Sequence, residues 1–362
     1  YIVNFIHYLN KYLKRPINMS ITQLPIIDLH ELENPETRES FYKKLRFIAR
    51  EIGFFYLVGH NISVGTREQL LATTKQFFAL PQSEKESISM EYSKHFRGYT
   101  ASTEESTRSQ PDYREQIDIG EELPALQLNQ DDPIWFNLHG PNQWPQSLPE
   151  LKPQALAWQR EMRTIAVKLI KAFLVALELP ENSFDEIIAD PAQHLLKLIH
   201  YPAREDNNEG EQGVGAHKDA GILTLLWQDN SGGLQVETDA GWIDVEPLEN
   251  AFVVNIGEVF ELATNGYLRA NVHQVVRRKN SHSRYSIAYF ITPNIFAEEV
   301  PLLNLPHYLA QQALGPDSDP LNPLFTNLGK NVIKGRLRSH LTVTRRFYPK
   351  EYEQIISNNN II

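Results

Sequence analysis

Between Gly213 and Pro293 lie side chains whose types and spacing could do chemistry together: Gly215-Ala216-His217-Lys218-Asp219, then Asn271-Val272-His273-Gln274, then Arg284-Tyr285-Ser286. His217 and Asp219 are two residues apart. On a strand, alternate side chains share a face, so both can point at one ion. His273 falls on another expected strand, and the fold must bring it back. Two imidazoles and one carboxylate on one side of a metal leave three positions open, an arrangement that suits Fe(II) with room for a co-substrate and O2. Taken alone this pattern is weak, because a chain with 12 histidines matches it easily by chance. The plain alternative is a polar strand end and a satisfied core histidine.

Arg284 and Ser286 shift that balance. They too share a strand face, shortly after His273. A guanidinium forms bidentate, charge-assisted hydrogen bonds to a carboxylate, and the serine hydroxyl adds a donor. Such a pair could grip the far carboxylate of a dicarboxylic co-substrate whose other end chelates the metal. For Arg284 alone, a surface salt bridge is the ordinary alternative; the whole set on short strands is hard to reach without a shared site.

These residues need elements to position them. Short apolar runs dominate the second half: Leu195 to Tyr201, Ile222 to Gln228, Leu234 to Glu237, Trp242 to Val245, Phe252 to Ile256, Val272 to Arg277 and Tyr285 to Thr292. Turn signals such as Asn230-Ser231-Gly232-Gly233 and Asp239-Ala240-Gly241 separate them. Short strands at this rhythm predict a sandwich or jelly roll. The first half reads as helices over Pro35–Ile52, Val64–Ala79 and Gln154–Leu179, with strands at Leu24–Leu29 and Phe54–Val58. Asn34 and Pro35 suit the start of the first helix. Gly98 to Asp132 shows no clear period and reads as a long loop, either a lid or a solvated surface segment. Arg204 to Gln212 reads as a hydrophilic flap. From Pro301 on, helix and loop alternate. The expected organisation is an extension over 1–23 outside the core, a helix-rich region over 24–190, a jelly-roll core over 191–300 and a helical region over 301–362 packing on it.

Composition sets limits. The 362 residues allow one large domain or two ordinary ones, and 41% hydrophobic with 22% charged residues is ordinary for a globular protein. A net charge of −10 argues against a general nucleic-acid binder. Cysteine is absent, which excludes disulfides, thiolate metal sites and cysteine nucleophiles. Any metal must be held by histidine and carboxylate. A reducing cytoplasm suits such a chain and is the expected location. The most apolar run, Ala166 to Leu179, is interrupted by Lys168, Lys171 and Glu178 and is too short to span a bilayer. Residues 1–18 carry Lys11, Lys14 and Arg15 with no acid and no small-residue cleavage site, so an extension is expected there rather than a signal peptide.

With these residues in view, the sequence resembles the isopenicillin N synthase-like family of Fe(II)/2-oxoglutarate-dependent oxygenases. The resemblance runs from Leu24 to about Asn294, through LPIIDL, GFFYLVGH, HKDAGILTLLWQDNSGGLQV, NIGEVFELATNGYLRANVHQVV and RYSIAYFITPN. It implies a distorted jelly roll, mainly β with flanking helices. It implies His217, Asp219 and His273 as iron ligands, and Arg284, Ser286 and Tyr201 as partners of the distal carboxylate of 2-oxoglutarate. The asparagine often found two residues before that tyrosine is Ile199 here, which removes one polar contact. The implied reaction consumes O2, converts the keto acid to succinate and CO2, and couples this to hydrogen removal from a small-molecule substrate. Hydroxylation, desaturation or ring closure can follow.

The Gly98–Thr107 text, with Pro111-Asp112-Tyr113, Leu138-His139-Gly140-Pro141 and Trp144-Pro145, is similar to the matching part of bacterial ethylene-forming enzyme. That resemblance implies Glu105, Thr107 and Arg338 as substrate contacts, with Glu105 meeting a cationic group, L-arginine in that enzyme. Ala220, Ser286 and Tyr201 depart from it and favour an ordinary 2-oxoglutarate oxygenase acting on a polar, amino-acid-like substrate. Two other classes stay open at this point. One is a non-catalytic small-molecule-binding protein on the same fold; the other is a zinc hydrolase, for which no general base stands out beside the triad.

Overall fold

The computed structural model describes residues 23–191, 193–203, 212–277, 282–317 and 322–358. Most of the expected N-terminal extension and all of the Arg204–Gln212 flap except Gln212 therefore lie outside the described residues.

The large sheet is built from β1 (Ile26–Asp28), β2 (Phe54–Val58), β3 (Gly98–Thr100), β6 (Glu115–Gly120), β7 (Gln193–Tyr201), β9 (Leu223–Gln228), β12 (Phe252–Ile256) and β14 (Arg284–Thr292). Its order is β1-β2-β12-β9-β14-β7-β6-β3. A small sheet has the order β11-β10-β13-β8, with β8 at Gln212–His217, β10 at Leu234–Thr238, β11 at Gly241–Asp244 and β13 at His273–Val276. A two-stranded ribbon pairs β4 (Ser106–Thr107) with β5 (Gln110–Pro111).

The two sheets face each other. Phe54, Tyr56, Ile199, Tyr201 and Ala288 of the large sheet share one apolar cluster with Val214, Val236 and Val275 of the small one. The other face of the large sheet, through Phe55, Leu57, Leu196, Leu198, Ile287 and Tyr289, packs on helices α1 (Arg38–Glu51), α2 (Val64–Phe78) and α3 (Leu151–Ala176). This is a mainly β fold with flanking helices and a double-stranded β-helix, jelly-roll core. Period explains the helices: Phe41, Leu45, Ile48 and Ala49 form the buried stripe of α1, and Trp158, Met162, Leu169 and Phe173 lie on that of α3. Burying each such side chain contributes about 1.5–3 kcal/mol. The Ser63 side chain accepts the Thr66 N–H at 3.0 Å and caps α2.

Three expectations shift. First, α1 starts at Arg38, not Pro35, because Asn34 closes a preceding helical turn (His30–Glu33) and its Oδ1 accepts the Glu36 N–H. Second, α3 begins at Leu151, with Pro153 in the first turn where its missing N–H leaves nothing unpaired, and it ends at Ala176 ahead of the left-handed Glu178 (φ 61°). Third, the Gly98–Asp132 stretch is not one long loop. It contributes β3, β6 and the ribbon, and β6 lies fully buried between β7 and β3. Ile117 and Ile119 face the helices, while Gln116 and Asp118 face the space between the sheets. Among the described residues, no helix is long and apolar enough to cross a membrane.

Candidate active site

His217 closes β8 and His273 opens β13, and the two are register partners across the small sheet. Their ring centroids are 4.4 Å apart. Asp219 lies past the end of β8, so it does not share a strand face with His217 by alternation; the turn delivers its carboxylate instead. Asp219 Oδ1 is 3.5 Å from His217 Nε2 and 3.7 Å from His273 Nε2. One donor atom from each of the three residues lies within 4.8 Å of the others. Ligands about 2.1 Å from a shared ion at right angles stand roughly 3 Å apart, so a small closure completes a coordination sphere.

Hydrogen bonds set the direction of each donor. His217 Nδ1 bonds Gly215 O at 2.7 Å and His273 Nδ1 bonds Asn271 O at 3.2 Å, which leaves both Nε2 lone pairs toward Asp219. Asp219 Oδ2 accepts from Thr224 Oγ1 at 2.5 Å and Asn255 Nδ2 at 2.8 Å, which leaves Oδ1 toward the imidazoles. Thr224 and Asn255 are register partners on β9 and β12, so the large sheet fixes the carboxylate that the small sheet's histidines meet. Gly257 permits this turn, since a Cβ there would collide with the Gly221 carbonyl and approach Asp219 O at 3.2 Å. Burial pushes the His273 pKa down to about 4 despite the nearby Asp219 carboxylate. Burial alone would raise the Asp219 pKa, but the charge of His273 and the hydrogen bond and charge of His217 hold it below the usual range. Burial would lower the His217 pKa as well, but the hydrogen bond and charge of Asp219 raise it; a metal would take the place of that proton, because neutral imidazole and ionised carboxylate are the forms that ligate. The donor set fits a divalent ion with open positions.

On the large sheet, Arg284 is paired with Tyr201, and Ser286 with Ile199 on one side and Gln228 on the other. The Arg284 guanidinium is buried and stacks over the Tyr201 ring at 4.7 Å. It donates to Gly232 O (2.8 Å), Gln228 Oε1 (3.0 Å) and Ser286 Oγ (3.3 Å). All three acceptors are neutral. Among the described residues no carboxylate pairs with this buried cation, which leaves it suited to an anionic ligand.

The three expected substrate contacts are engaged by other groups. Buried Glu105 pairs with Arg114 Nη2 at 2.7 Å and Lys197 Nζ at 3.1 Å. Thr107 Oγ1 donates to Asp112 Oδ2 at 2.8 Å. Arg338 Nη1 donates to Asn322 Oδ1 at 3.0 Å. A cationic substrate would have to displace Arg114 or Lys197 to reach Glu105. Sequence reasoning missed Thr224 and Asn255, which sit in apolar strands, and the charge network of Asp112, Arg114, Asp118, Lys197, Arg336 and His340 around Glu105. The alternation in Gln116-Ile117-Asp118-Ile119 was the signal that could have placed part of it.

Two family models match: one described as non-haem dioxygenase in morphine synthesis N-terminal, over residues 24–147, and one described as 2OG-Fe(II) oxygenase superfamily, over 192–293. A 2-oxoglutarate-dependent dioxygenase of Dothideomycetidae sp. is 35% identical over 355 residues, covering 94% of this chain and 95% of that protein. A homoarginine-6-hydroxylase of Arabidopsis thaliana is 31% identical, covering 77% of this chain and 87% of that protein. A full-length Neurospora crassa protein crystallised with alpha-KG and thymine superposes with a TM-score of 0.69 at 27% identity, covering 91% of this chain and 98% of that one. These three relatives are fungal and plant proteins, and they do not show the bacterial kinship suggested by the Gly98–Thr107 text. The chain belongs to the 2OG-Fe(II) oxygenase superfamily and is a non-haem iron, 2-oxoglutarate-dependent dioxygenase.

Proposed function

We propose that His217, Asp219 and His273 hold Fe(II), that Arg284, Ser286 and Tyr201 hold the distal carboxylate of 2-oxoglutarate, and that the enzyme oxidises a small polar substrate. The observation that carries this reading is the buried Arg284 guanidinium facing only neutral acceptors, on the sheet opposite a triad of converging metal donors. Iron and the keto acid, when bound, supply the O2-driven decarboxylation that yields succinate and CO2. The protein's share is orientation and exclusion of water. Thr224 and Asn255 fix the Asp219 carboxylate, and the two backbone carbonyls fix the imidazoles. Arg284 and Ser286 fix one end of the co-substrate, and Ile199 makes the neighbouring wall apolar.

The relatives support a polar, nitrogen-bearing substrate: one is named for homoarginine and one structure holds thymine. The resemblance of residues 98–107 to ethylene-forming enzyme keeps L-arginine oxidation with ethylene release as a second reading, although Glu105 already has two cationic partners.

The test is an anaerobic titration of the apoprotein with Fe(II) and 2-oxoglutarate. A weak visible charge-transfer band is expected in the wild type, absent in His273→Ala and weakened in Arg284→Met. A wild-type protein without the band would overturn the assignment. Succinate release, screened across amino acids and neutral ring amides with headspace ethylene measured alongside, then sorts the substrate readings.

A further inference from the structure

Strand β6 and the residue just before it carry three alternate residues, each with at least one buried polar atom that has no partner among the described residues. Arg114, Gln116 and Asp118 share one face, at two-residue spacing. Gln116 is fully buried, yet neither its Oε1 nor its Nε2 has a hydrogen-bond partner among the described residues. The same holds for Arg114 Nε and Asp118 Oδ1. Buried polar groups are nearly always paired, and each one left unpaired is destabilising. Three on one strand face form a row that a ligand could complete.

The row lies on the same face of the large sheet as Ser286. Gln116 is the register partner of Ile199, and Ile199 is the partner of Ser286, so one rung of the sheet reads Gln116, Ile199, Ser286. Ile199 and Tyr201 pack against Val214 and Val275 of the small sheet, which carries both histidines.

Charge balance narrows the ligand. Glu105, Asp112 and Asp118 stand against Arg114, Lys197 and Arg336, three anions and three cations in one buried network. A ligand with net charge would upset that balance in a low-dielectric interior. The free atoms are donors (Arg114 Nε–H, Gln116 Nε2) followed by acceptors (Gln116 Oε1, Asp118 Oδ1).

We infer that the inner face of β6 is the substrate-recognition strip, with Gln116 at its centre, and that it takes a small molecule without net charge that presents a carbonyl-type acceptor beside an N–H donor. This deepens the proposed function and rests on it for the reaction. A neutral ring amide and a zwitterionic amino acid share the required chemistry.

The protein, loaded anaerobically with Fe(II) and 2-oxoglutarate, is titrated by calorimetry with uracil (neutral ring amide), L-proline (zwitterion), agmatine (cation) and benzoate (anion). Uracil or L-proline should bind, and whichever binds identifies the source of the N–H and C=O pair. Gln116→Leu should weaken that binding by about tenfold or more while 2-oxoglutarate affinity stays within about twofold. Gln116→Met, which also lacks both amide atoms, carries the same test if the leucine variant misfolds. The inference is overturned if neither uracil nor L-proline binds, if agmatine or benzoate binds more tightly than both, or if the Gln116 variants bind the probe as the wild type does. Loss of 2-oxoglutarate uptake by the wild type, measured in the same cell before any probe is added, would instead sink the cofactor assignment.

Discussion

Arg284 and Arg114 are two buried guanidiniums placed on either side of Tyr201, and they are treated in opposite ways. Arg284 pairs with Tyr201 across β14 and β7, and Arg114 lies one residue before Glu115, which pairs with His200 across β6 and β7. Arg284 donates to a carbonyl, an amide and a hydroxyl. Arg114 meets Glu105 at 2.7 Å and Asp112 at 3.8 Å. Burial would make Arg114 easier to deprotonate, but the Glu105 charge more than reverses this and holds it protonated. One cation has its charge balanced by the protein. The other is held ready for something the protein does not supply. The lesson is that burial of a charge does not by itself mark a binding site; what separates these two is whether an opposite charge stands beside the guanidinium.

Substitutions can break this contrast. The largest effect is expected from Glu105→Ala, which strands Arg114 and Lys197 without their shared carboxylate. Removing one member of a buried pair is destabilising by about 3–5 kcal/mol, read as a lower urea midpoint. An unchanged midpoint would show that water reaches this network. Arg284→Met should do the reverse: unfolding stability of the apoprotein stays within about 1 kcal/mol, while the 2-oxoglutarate dissociation constant rises by about a hundredfold, or about 2.7 kcal/mol. If stability fell as far as in Glu105→Ala, Arg284 would be a structural cation like Arg114.

A smaller effect sharpens the contrast at the metal. Thr224→Val deletes the hydroxyl that holds Asp219 Oδ2 and should reduce Fe(II) affinity by about 10–100-fold, with 2-oxoglutarate affinity following only through the metal. Competition with a chelator of known affinity measures it, and wild-type affinity would mean Asn255 alone positions the carboxylate.

The mildest effect at neutral pH is a pH dependence on the Arg114 side. Burial, with help from Lys197 and Arg336, pushes the His340 pKa down to about 4 against the pull of Glu105 and Asp118. The folded value lies below the ordinary 6.5, so the unfolded chain takes up the proton first as pH falls. Stability should hold above pH 6.5 and decline toward pH 4, at no more than about 1.4 kcal/mol per pH unit. His340→Phe should flatten that interval. Glu105, held well below the usual carboxylate range against its own burial by Arg114 and Lys197, continues the same sign at lower pH. A profile as steep in His340→Phe as in the wild type would place the titration elsewhere.

The sequence disclosed the two sides unequally. His217, Asp219, His273, Arg284 and Ser286 could be picked out because chemistry needs those types at short, strand-compatible spacings. The jelly roll was legible because its strands are short apolar runs between turn signals. Phe54–Val58 and Phe252–Ile256 were read to the residue. The Arg114 side was hidden. β6 points charged and amide groups inward, so Glu115–Gly120 looks polar, and its hydropathy reads as a loop although it is a fully buried strand beside the sheet edge. The partners that neutralise those charges, Lys197 and Arg336, lie far along the chain, and only the folded arrangement shows that they meet. Glu105 was noticed for a resemblance, but local text could not reveal that its carboxylate was already claimed.

The ladder between β13 and β8 shifts register twice, just after the rung that joins His273 to His217. An ion shared by those imidazoles would clamp the small sheet at its least regular pairing. Metal loading and strand opening are then a single equilibrium seen from two directions, and amide protons of Val275 and Val276 should exchange more slowly in the iron-loaded protein than in the free one.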